Sequence, residues 1–459
     1  MKGPKPLTSR KCGPLSGTAR VPGDKSMSHR ALMLGALAKG ETIISGLLEG
    51  EDVFNTADAM RAMGAKVGKN ADGLWRAHGV GTGKLAEPDR VLDMGNSGTS
   101  TRLIIGLVSG HPIAATFTGD ASLIKRPMKR VMEPLSQMGA QFLAREGGRL
   151  PLTVSGALKP KNIEYRLPVA SAQVKSAIML AALNTPGITT VIEDTPTRDH
   201  TENMLRHFGV SVKVETLESG AQAIHVEGPQ QLIACAVDVP CDPSSAAFPV
   251  VAALLLENSQ IKLPRIGIND RRTGLYTTLK EMGADISFDK VRTEAGEKVA
   301  DLSVRGKGPL KGVEVPPQRA ASMIDEFPVL AMAAACADGT TKMNGLAELR
   351  VKESDRLKMI ADGLAACGVK LEMGEDSLTV YGNGKPPKGG ALIETALDHR
   401  IAMSFLVLGT VTDEPITVDD ASPIATSFPN FIDLMNGLGG DIETSESELI
   451  LPESFQKRG

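Results

Sequence analysis

The chain has 459 residues, a formal net charge of −3 from 51 Lys and Arg against 54 Asp and Glu, few aromatic side chains and five cysteines. Intermixed, near-neutral charge excludes a nucleic-acid or membrane-surface partner recognised by bulk charge, no segment offers the ~18 unbroken apolar residues of a membrane span, and scattered cysteines without CxxC spacing exclude a disulfide framework or zinc site. The length exceeds what one hydrophobic core usually serves, so two domains are expected.

The N-terminal MKGPKPLTSRKCGPLSGTAR has no apolar core of signal-peptide type, and a GDKS motif arrives by residue 23, leaving little room for a transit peptide. A cytoplasmic location is expected. From there two features alternate six times. Apolar runs opened by a polar residue start near Ser28, Ser97, Ser171, Ser244, Ser322 and Asp398. Helix-like stretches end in the tags AMGAKV, QMGAQF, HFGVSV, EMGADI, ACGVKL and GLGGDI, with glycines at 64, 139, 209, 283, 368 and 439. Six copies of one folding unit are the simplest reading.

The third copy is the most legible. SAQVKSAIMLAALNTPGITTVIE reads as helix, turn and strand, and TPTRDHTENMLRHFGVSVKVE as a second helix capped by Gly209 and a strand alternating at Val210, Val212 and Val214. AQAIHVEG is its hairpin partner. Each unit is thus α, β, α, β, β, with one strand leading into the next. The first helix of most copies is apolar nearly all round (IMLAAL, VVAALLL, VLAMAAA), so it should lie inside its domain with its polar start at one end. VPGDKSMS (21–28) and VPCDPSS (239–245) match in pattern half a chain apart. Placing the crossovers there predicts one domain of residues 1–22 plus 241–459 and an inserted domain of 23–240, each of three units.

Polar residues crowd the starts of the apolar runs: Lys25, Arg30, Asn96, Arg102, Gln173, Lys175, Asp325, Glu326, His399 and Arg400. Helix starts attract anions. In GDKSMSHR, Lys25, Ser26, Ser28 and Arg30 suit an oxyanion, although a plain Ser28 cap with a solvated Lys25 is the alternative. GNSGTSTR lets a ligand approach the backbone at Gly95 and Gly98 but is no P-loop. DASLIKRPMKR sets Lys125, Arg126, Lys129 and Arg130 around a proline; TPTRDH puts Arg198 at the equivalent place one copy later. In PVASAQVKSA, Gln173 and Lys175 are too polar for a buried helix unless it faces a cleft. SMIDEFP supplies Asp325 and Glu326, RVKESDR supplies Lys352, Glu353 and Arg356, and LDHR adds Arg400. A carboxylate among cations can keep its charge and move a proton, the alternatives being a helix cap at Asp325 and a surface pair for Glu353. If both domains point these ends at each other, the cleft would bind two small polyanions and act on them by proton transfer and electrostatic stabilisation.

Taken together, GDKSMSHR, GNSGTSTR, the RP of IKRPM, SAQVKSA, TRDH, SMIDEFP, RVKESDRL and DHRIAMSF, with TSFP at 426–429, resemble the 5-enolpyruvylshikimate-3-phosphate synthases, class II bacterial type. The resemblance spans nearly the whole chain. It implies an α/β (α+β) enolpyruvyl transferase fold: two similar domains, each of three βαβαββ units about a pseudo-threefold axis with buried helices. It implies transfer of the enolpyruvyl group of phosphoenolpyruvate to the 5-hydroxyl of shikimate 3-phosphate by addition and elimination, in aromatic amino acid biosynthesis, by a monomer needing no cofactor or metal. Carried over residue by residue, shikimate 3-phosphate would contact Lys25, Ser26, Arg30, Ser171, Gln173, Arg198, Asp325 and Lys352. Phosphoenolpyruvate would contact Lys25, Gly98, Arg126, Gln173, Arg356 and Arg400. Asp325 would accept the hydroxyl proton, and Glu353, assisted by Lys25, would protonate the methylene carbon.

Two departures stand out. Thr426 occupies the place of a lysine that many class I members carry, so one cation on phosphoenolpyruvate is missing. Gly98 stands where some glyphosate-tolerant members have alanine, so glyphosate should compete here. The rivals are the related transferase acting on UDP-N-acetylglucosamine, whose catalytic loop normally carries a cysteine that GDASLIKRP lacks, and a non-catalytic anion-binding protein of the same fold.

Overall fold

The computed structural model describes residues 5–444. Twelve α-helices follow one another as α1 (Lys25–Leu37), α2 (Glu51–Ala62), α3 (Gly98–Ser109), α4 (Lys129–Gln137), α5 (Ala172–Ala182), α6 (His200–His207), α7 (Pro243–Leu255), α8 (Gly274–Glu281), α9 (Phe327–Cys336), α10 (Arg356–Ala366), α11 (His399–Gly409) and α12 (Phe431–Gly437). The odd-numbered helices are the apolar ones. All ten residues of α9 are buried, as are Pro243 to Leu254 of α7. Burying each Phe, Val, Leu or Met among them contributes about 1.5–3 kcal/mol, which is why a helix apolar all round cannot stay at the surface. The even-numbered helices end in the six tags, whose glycines all adopt positive φ, from 82° at Gly209 to 109° at Gly439. Each helix therefore stops where a side chain would be strained.

Six four-stranded sheets share one pattern, parallel then antiparallel then antiparallel. In the third unit, Glu164–Arg166 runs parallel to Gly187–Glu193, which pairs with Gln222–Gly228 (Val191 opposite Ile224), which pairs with Val212–Thr216. Strands from elsewhere complete other units. Ala236–Asp238 joins Glu41–Ser45 in the first, Ser16–Thr18 joins Gln260–Gly267 in the fourth, and Leu7–Ser9 lies between Ile416–Val418 and Ile442–Thr444 in the sixth.

Two large hydrophobic cores result, beside a small cluster of Ile192, Ala221 and Ala223. One is built from residues between Met27 and Val239, the other from Leu7, Leu15, Val21 and residues between Cys241 and Ile442. In the first, α3 packs on α1 and α5; in the second, α7, α9 and α11 all touch one another. The α3–α5 crossing is close enough that a methyl on Gly106 would lie 2.4 Å from the Ala177 carbonyl oxygen. The cores are linked where Asp24 N donates to Pro240 O (2.8 Å) and Asp242 N to Pro22 O (2.9 Å). Asp24 and Asp242 cap α1 and α7, and Arg272 donates to both at 3.0 Å. Among the described residues no helix is long and apolar enough to cross a membrane.

Two helix starts differ from the sequence expectation. The first apolar helix begins at Lys25, capped by Asp24, and Ser28 is buried, its Oγ accepting from Leu48 N at 2.9 Å. Ser28 is therefore no cap. The fifth begins at Phe327 rather than near Ser322, because Pro317–Ser322 winds as a 3₁₀ turn and Pro328 suits only a first helical turn.

Candidate active site

A cavity of about 540 Å³ lies between the two cores. Its walls are the starts of the inner helices and the loops before the outer ones. Ser97, Ser171 and Asp398 cap α3, α5 and α11 with their own side chains, which fixes the residues just inside each start. Lys25, Ser26, Gly98, Arg126, Ser171, Gln173, Arg198, Asp325, Lys352, Glu353, Arg356 and Arg400 all line it. Arg30 does not. Its guanidinium lies behind the wall, donating to Thr201 Oγ1 (2.7 Å), Ser176 Oγ (2.8 Å) and the Ser26 carbonyl (3.0 Å). Thr426 also lies off the wall, its hydroxyl turned onto the Pro423 carbonyl at 2.8 Å.

Asp325 is the centre of the charge network. Oδ2 accepts from Arg198 Nη2 at 2.7 Å, Oδ1 accepts from Arg356 Nη1 at 2.9 Å and lies 3.2 Å from Lys352 Nζ, and its carbonyl accepts from Arg400 Nη1 at 2.9 Å. Burial would raise its carboxyl, but Lys352, Arg198, Arg400 and Arg356 outweigh burial and hold it well below the usual carboxylate range. Glu353 is likewise held low: burial opposes, and Arg356 and Arg126 prevail. It pairs with Arg356 and stands 3.7 Å from Arg126 Nη1. One arginine thus touches both acids, and Asp398 anchors it from behind at 2.8 Å.

Several contacts bridge the halves. Arg198 meets Asp325, Arg126 meets Glu353, Ser122 Oγ donates to the Glu353 carbonyl (3.2 Å), and Arg130 donates to both Glu348 oxygens at 3.0 Å. Lys125 and Lys129, from the same basic run, are exposed. Lys25 pairs with Asp52, a buried acid at the start of α2 whose proton affinity burial raises and Lys25 lowers.

Lys175 is a correction. It faces no cleft: buried in α5, it pairs with Glu193 (2.9 Å) and Glu202 (2.7 Å), and although burial works against its charge, these glutamates raise its pKa. Two acids from distant segments satisfy the cation, which no local pattern signals. Other cavity residues were absent from the predicted site: Asp52, Asn96, Arg102, Asp242, Arg272 and His399. Asn96 Oδ1 accepts from Arg126 Nη2 (2.7 Å) and Gln173 Oε1 from Arg102 Nη1 (2.7 Å). Asn96, Arg102 and His399 were visible as polar residues at helix starts, but not as partners of the site arginines. Burial, with Arg126 nearby, brings Arg102 down to about 10, and burial with Lys25 nearby keeps the His399 imidazole neutral. Among the described residues no cluster of His, Cys, Asp and Glu could hold a metal ion. The arrangement can gather two anions of several charges each and place an acid or base on either side of Arg356.

The chain matches the family described as EPSP synthase (3-phosphoshikimate 1-carboxyvinyltransferase) over residues 9–435. It is 63% identical over 438 residues to the 3-phosphoshikimate 1-carboxyvinyltransferase of Paramagnetospirillum magneticum, covering 95% of this chain and 98% of that protein. It is 61% identical to the enzyme of the same name from Parvibaculum lavamentivorans, covering 94% and 96%. Among solved structures, EPSP synthase from Acinetobacter baumannii superposes with a TM-score of 0.85 at 45% identity, covering 96% of this chain and all of that one. The enolpyruvyl transferase NikO from Streptomyces tendae, at 19% identity and a TM-score of 0.75 over 96% and 99%, shares the fold.

Proposed function

The chain belongs to the EPSP synthase family, and from that premise we propose how its cleft transfers the enolpyruvyl group of phosphoenolpyruvate to the 5-hydroxyl of shikimate 3-phosphate, releasing phosphate. The observation that carries the site assignment is the pair of acids, Asp325 and Glu353, facing one cavity and sharing Arg356 among a surplus of cations.

Shikimate 3-phosphate takes Lys25, Ser26, Ser171, Gln173, Arg198 and Lys352, with Arg30 supporting that wall from behind through Ser26. Phosphoenolpyruvate takes Gly98, Arg126, Arg356 and Arg400, and shares Lys25 and Gln173. Lys352, Arg198, Arg400 and Arg356 hold the Asp325 carboxyl well below the usual carboxylate range. When the substrates' phosphates and carboxylates draw Arg198, Lys352 and Arg356 toward themselves, the carboxylate regains proton affinity. Asp325 then accepts the 5-hydroxyl proton as that oxygen bonds to C2 of phosphoenolpyruvate, and Glu353, which takes up a proton once the substrates draw Arg356 and Arg126 away from it, delivers that proton, assisted by Lys25, to the methylene carbon. The tetrahedral adduct loses phosphate, and return of a methyl proton to the Glu353 carboxylate restores the double bond. Closure of the halves over both ligands keeps water from the adduct.

We further propose that the two cores are two domains, residues 1–22 plus 241–459 and residues 23–240; positions 1–4 and 445–459 lie outside the described residues. One chain supplies both walls of the cleft, which supports action as a monomer. Free thiols at all five cysteines fit a reducing cytoplasm. Glyphosate is proposed to compete with phosphoenolpyruvate at Gly98, Arg102 and Arg126. The test is phosphate release on mixing the enzyme with phosphoenolpyruvate and either shikimate 3-phosphate or UDP-N-acetylglucosamine. Release is expected with the first acceptor only; release with the UDP-sugar, or none with either, would overturn the reading.

A further inference from the structure

Glu326 follows Asp325 directly, at the cap position of α9, with its side chain 3% exposed. It does not cap that helix, since no backbone N–H of α9 reaches its carboxylate. Instead Oε1 accepts from Arg400 Nη1 at 3.4 Å, while the Asp325 carbonyl accepts from the same nitrogen at 2.9 Å. Two consecutive residues of one turn therefore hold one corner of the guanidinium. Among the described residues these are the two hydrogen bonds the Arg400 guanidinium makes, so its Nε–Nη2 edge is available to a planar anion in the cavity it lines. Glu326 Oε2 is buried with no hydrogen-bond partner, an arrangement that folding alone disfavours. A hydrophobic residue there would suit the apolar helix better. The carboxylate calls for a reason, and among the described residues Arg400 is the one cation it pairs with.

We propose that Glu326 is a positioning residue for phosphoenolpyruvate: its carboxylate fixes the rotation of Arg400 so that the open guanidinium edge faces the anionic group of that substrate. The inference rests on the assignment of Arg400 to phosphoenolpyruvate. It concerns binding rather than proton transfer, because Glu326 touches the arginine and not the reacting atoms.

The experiment is steady-state kinetics on Glu326→Ala, Glu326→Gln, Arg400→Lys and the double variant Glu326→Ala with Arg400→Lys. Glu326→Ala is expected to raise KM for phosphoenolpyruvate about tenfold with kcat changed less than about threefold and KM for shikimate 3-phosphate unchanged. Glu326→Gln should recover most of the loss, because an amide oxygen still accepts from Nη1. In the Arg400→Lys background, Glu326→Ala should add nothing. Should Glu326→Ala fail to fold, Glu326→Met, similar in volume and without the acceptor, gives the same comparison. An unchanged KM for phosphoenolpyruvate, a parallel rise in both KM values, or additive losses in the double variant would overturn the proposal. If Arg400→Lys itself leaves that KM unchanged, the assignment of Arg400 falls and this inference with it; if Arg400→Lys raises it and Glu326→Ala does not, only the inference falls.

Discussion

Replacing Gly98 with alanine puts one methyl group at the first position of α3, in the wall assigned to phosphoenolpyruvate. The new carbon would lie 2.9 Å from Arg102 Nη1 and 3.1 Å from Arg126 Nη1, with no backbone atom closer. Both neighbours are the far ends of flexible side chains, so a shift of a few tenths of an ångström relieves the contact, and alanine is worth up to about 1 kcal/mol over glycine in a helix. The fold should therefore be unharmed. The cost falls on ligands. Arg126 is held through Nη2 by Asn96 and Ser122, at 2.7 and 2.9 Å, and more loosely through Nη1 by the Asn96 carbonyl at 3.2 Å, so it yields by tilting Nη1 away from the anion it would bind. Misplacing one charge-assisted hydrogen bond by that much should cost about 1.4 kcal/mol, or roughly tenfold in KM for phosphoenolpyruvate. Glyphosate, being longer, must also lose the space the methyl occupies, and its inhibition constant should rise by about a hundredfold or more. The assay is inhibition of phosphate release at several phosphoenolpyruvate concentrations, with a thermal melt of the same sample. An inhibition constant that rises no more than KM, or a melting temperature several degrees lower, would refute the reasoning.

Other perturbations separate folding from function. Lys175→Met leaves Glu193 and Glu202 buried without their cation and should destabilise the protein by about 3–5 kcal/mol, with both KM values unchanged in what remains folded; adding Glu193→Gln and Glu202→Gln should restore part of the loss in a urea titration, and an unchanged midpoint in the single variant would contradict the buried triad. Acid stability follows from the imidazoles before the carboxylates. Burial, with Lys25 nearby, keeps His29 and His399 neutral in the fold, so below about pH 6.5 the unfolded chain binds protons that the folded one cannot, and stability should fall by about 1.4 kcal/mol per pH unit per group. The depressed carboxylates of Asp325, Glu353 and Asp24, the last at about 2 because Arg272 and His200 outweigh burial, contribute fully above about pH 4 and are lost only as the pH falls toward their folded values. Melting temperatures from pH 7.5 to 4.5 should decline, and less steeply in His29→Asn, whose amide can replace the bond to Thr56; a flat profile would remove the argument.

The repeat was legible because each unit must end its outer helix on a glycine and bury its first helix, two demands that recur in sequence whatever the surface does. The cavity residues were legible for a related reason: a lysine, arginine or acid at the head of an apolar helix conflicts with its surroundings unless something charged meets it. What local pattern could not reveal was partnership. Lys175 looks like Gln173 until Glu193 and Glu202 converge on it, and Arg30 looks like a ligand contact until Thr201 and Ser176 close around it. The start of α9 was misjudged because Ser322 resembles the serines that cap other units, while the proline turn before it delays the helix by several residues. The place of Leu7–Ser9 inside the sixth sheet depends on pairing across nearly the whole chain, which no local pattern encodes.

The most direct test of the cleft chemistry is phosphate release by Asp325→Ala beside the unaltered enzyme, with shikimate 3-phosphate binding measured separately by calorimetry. If Asp325 takes the hydroxyl proton, turnover should fall by about a hundred- to ten-thousandfold while the variant stays folded and still binds shikimate 3-phosphate. Turnover within about tenfold of the unaltered enzyme would contradict that role.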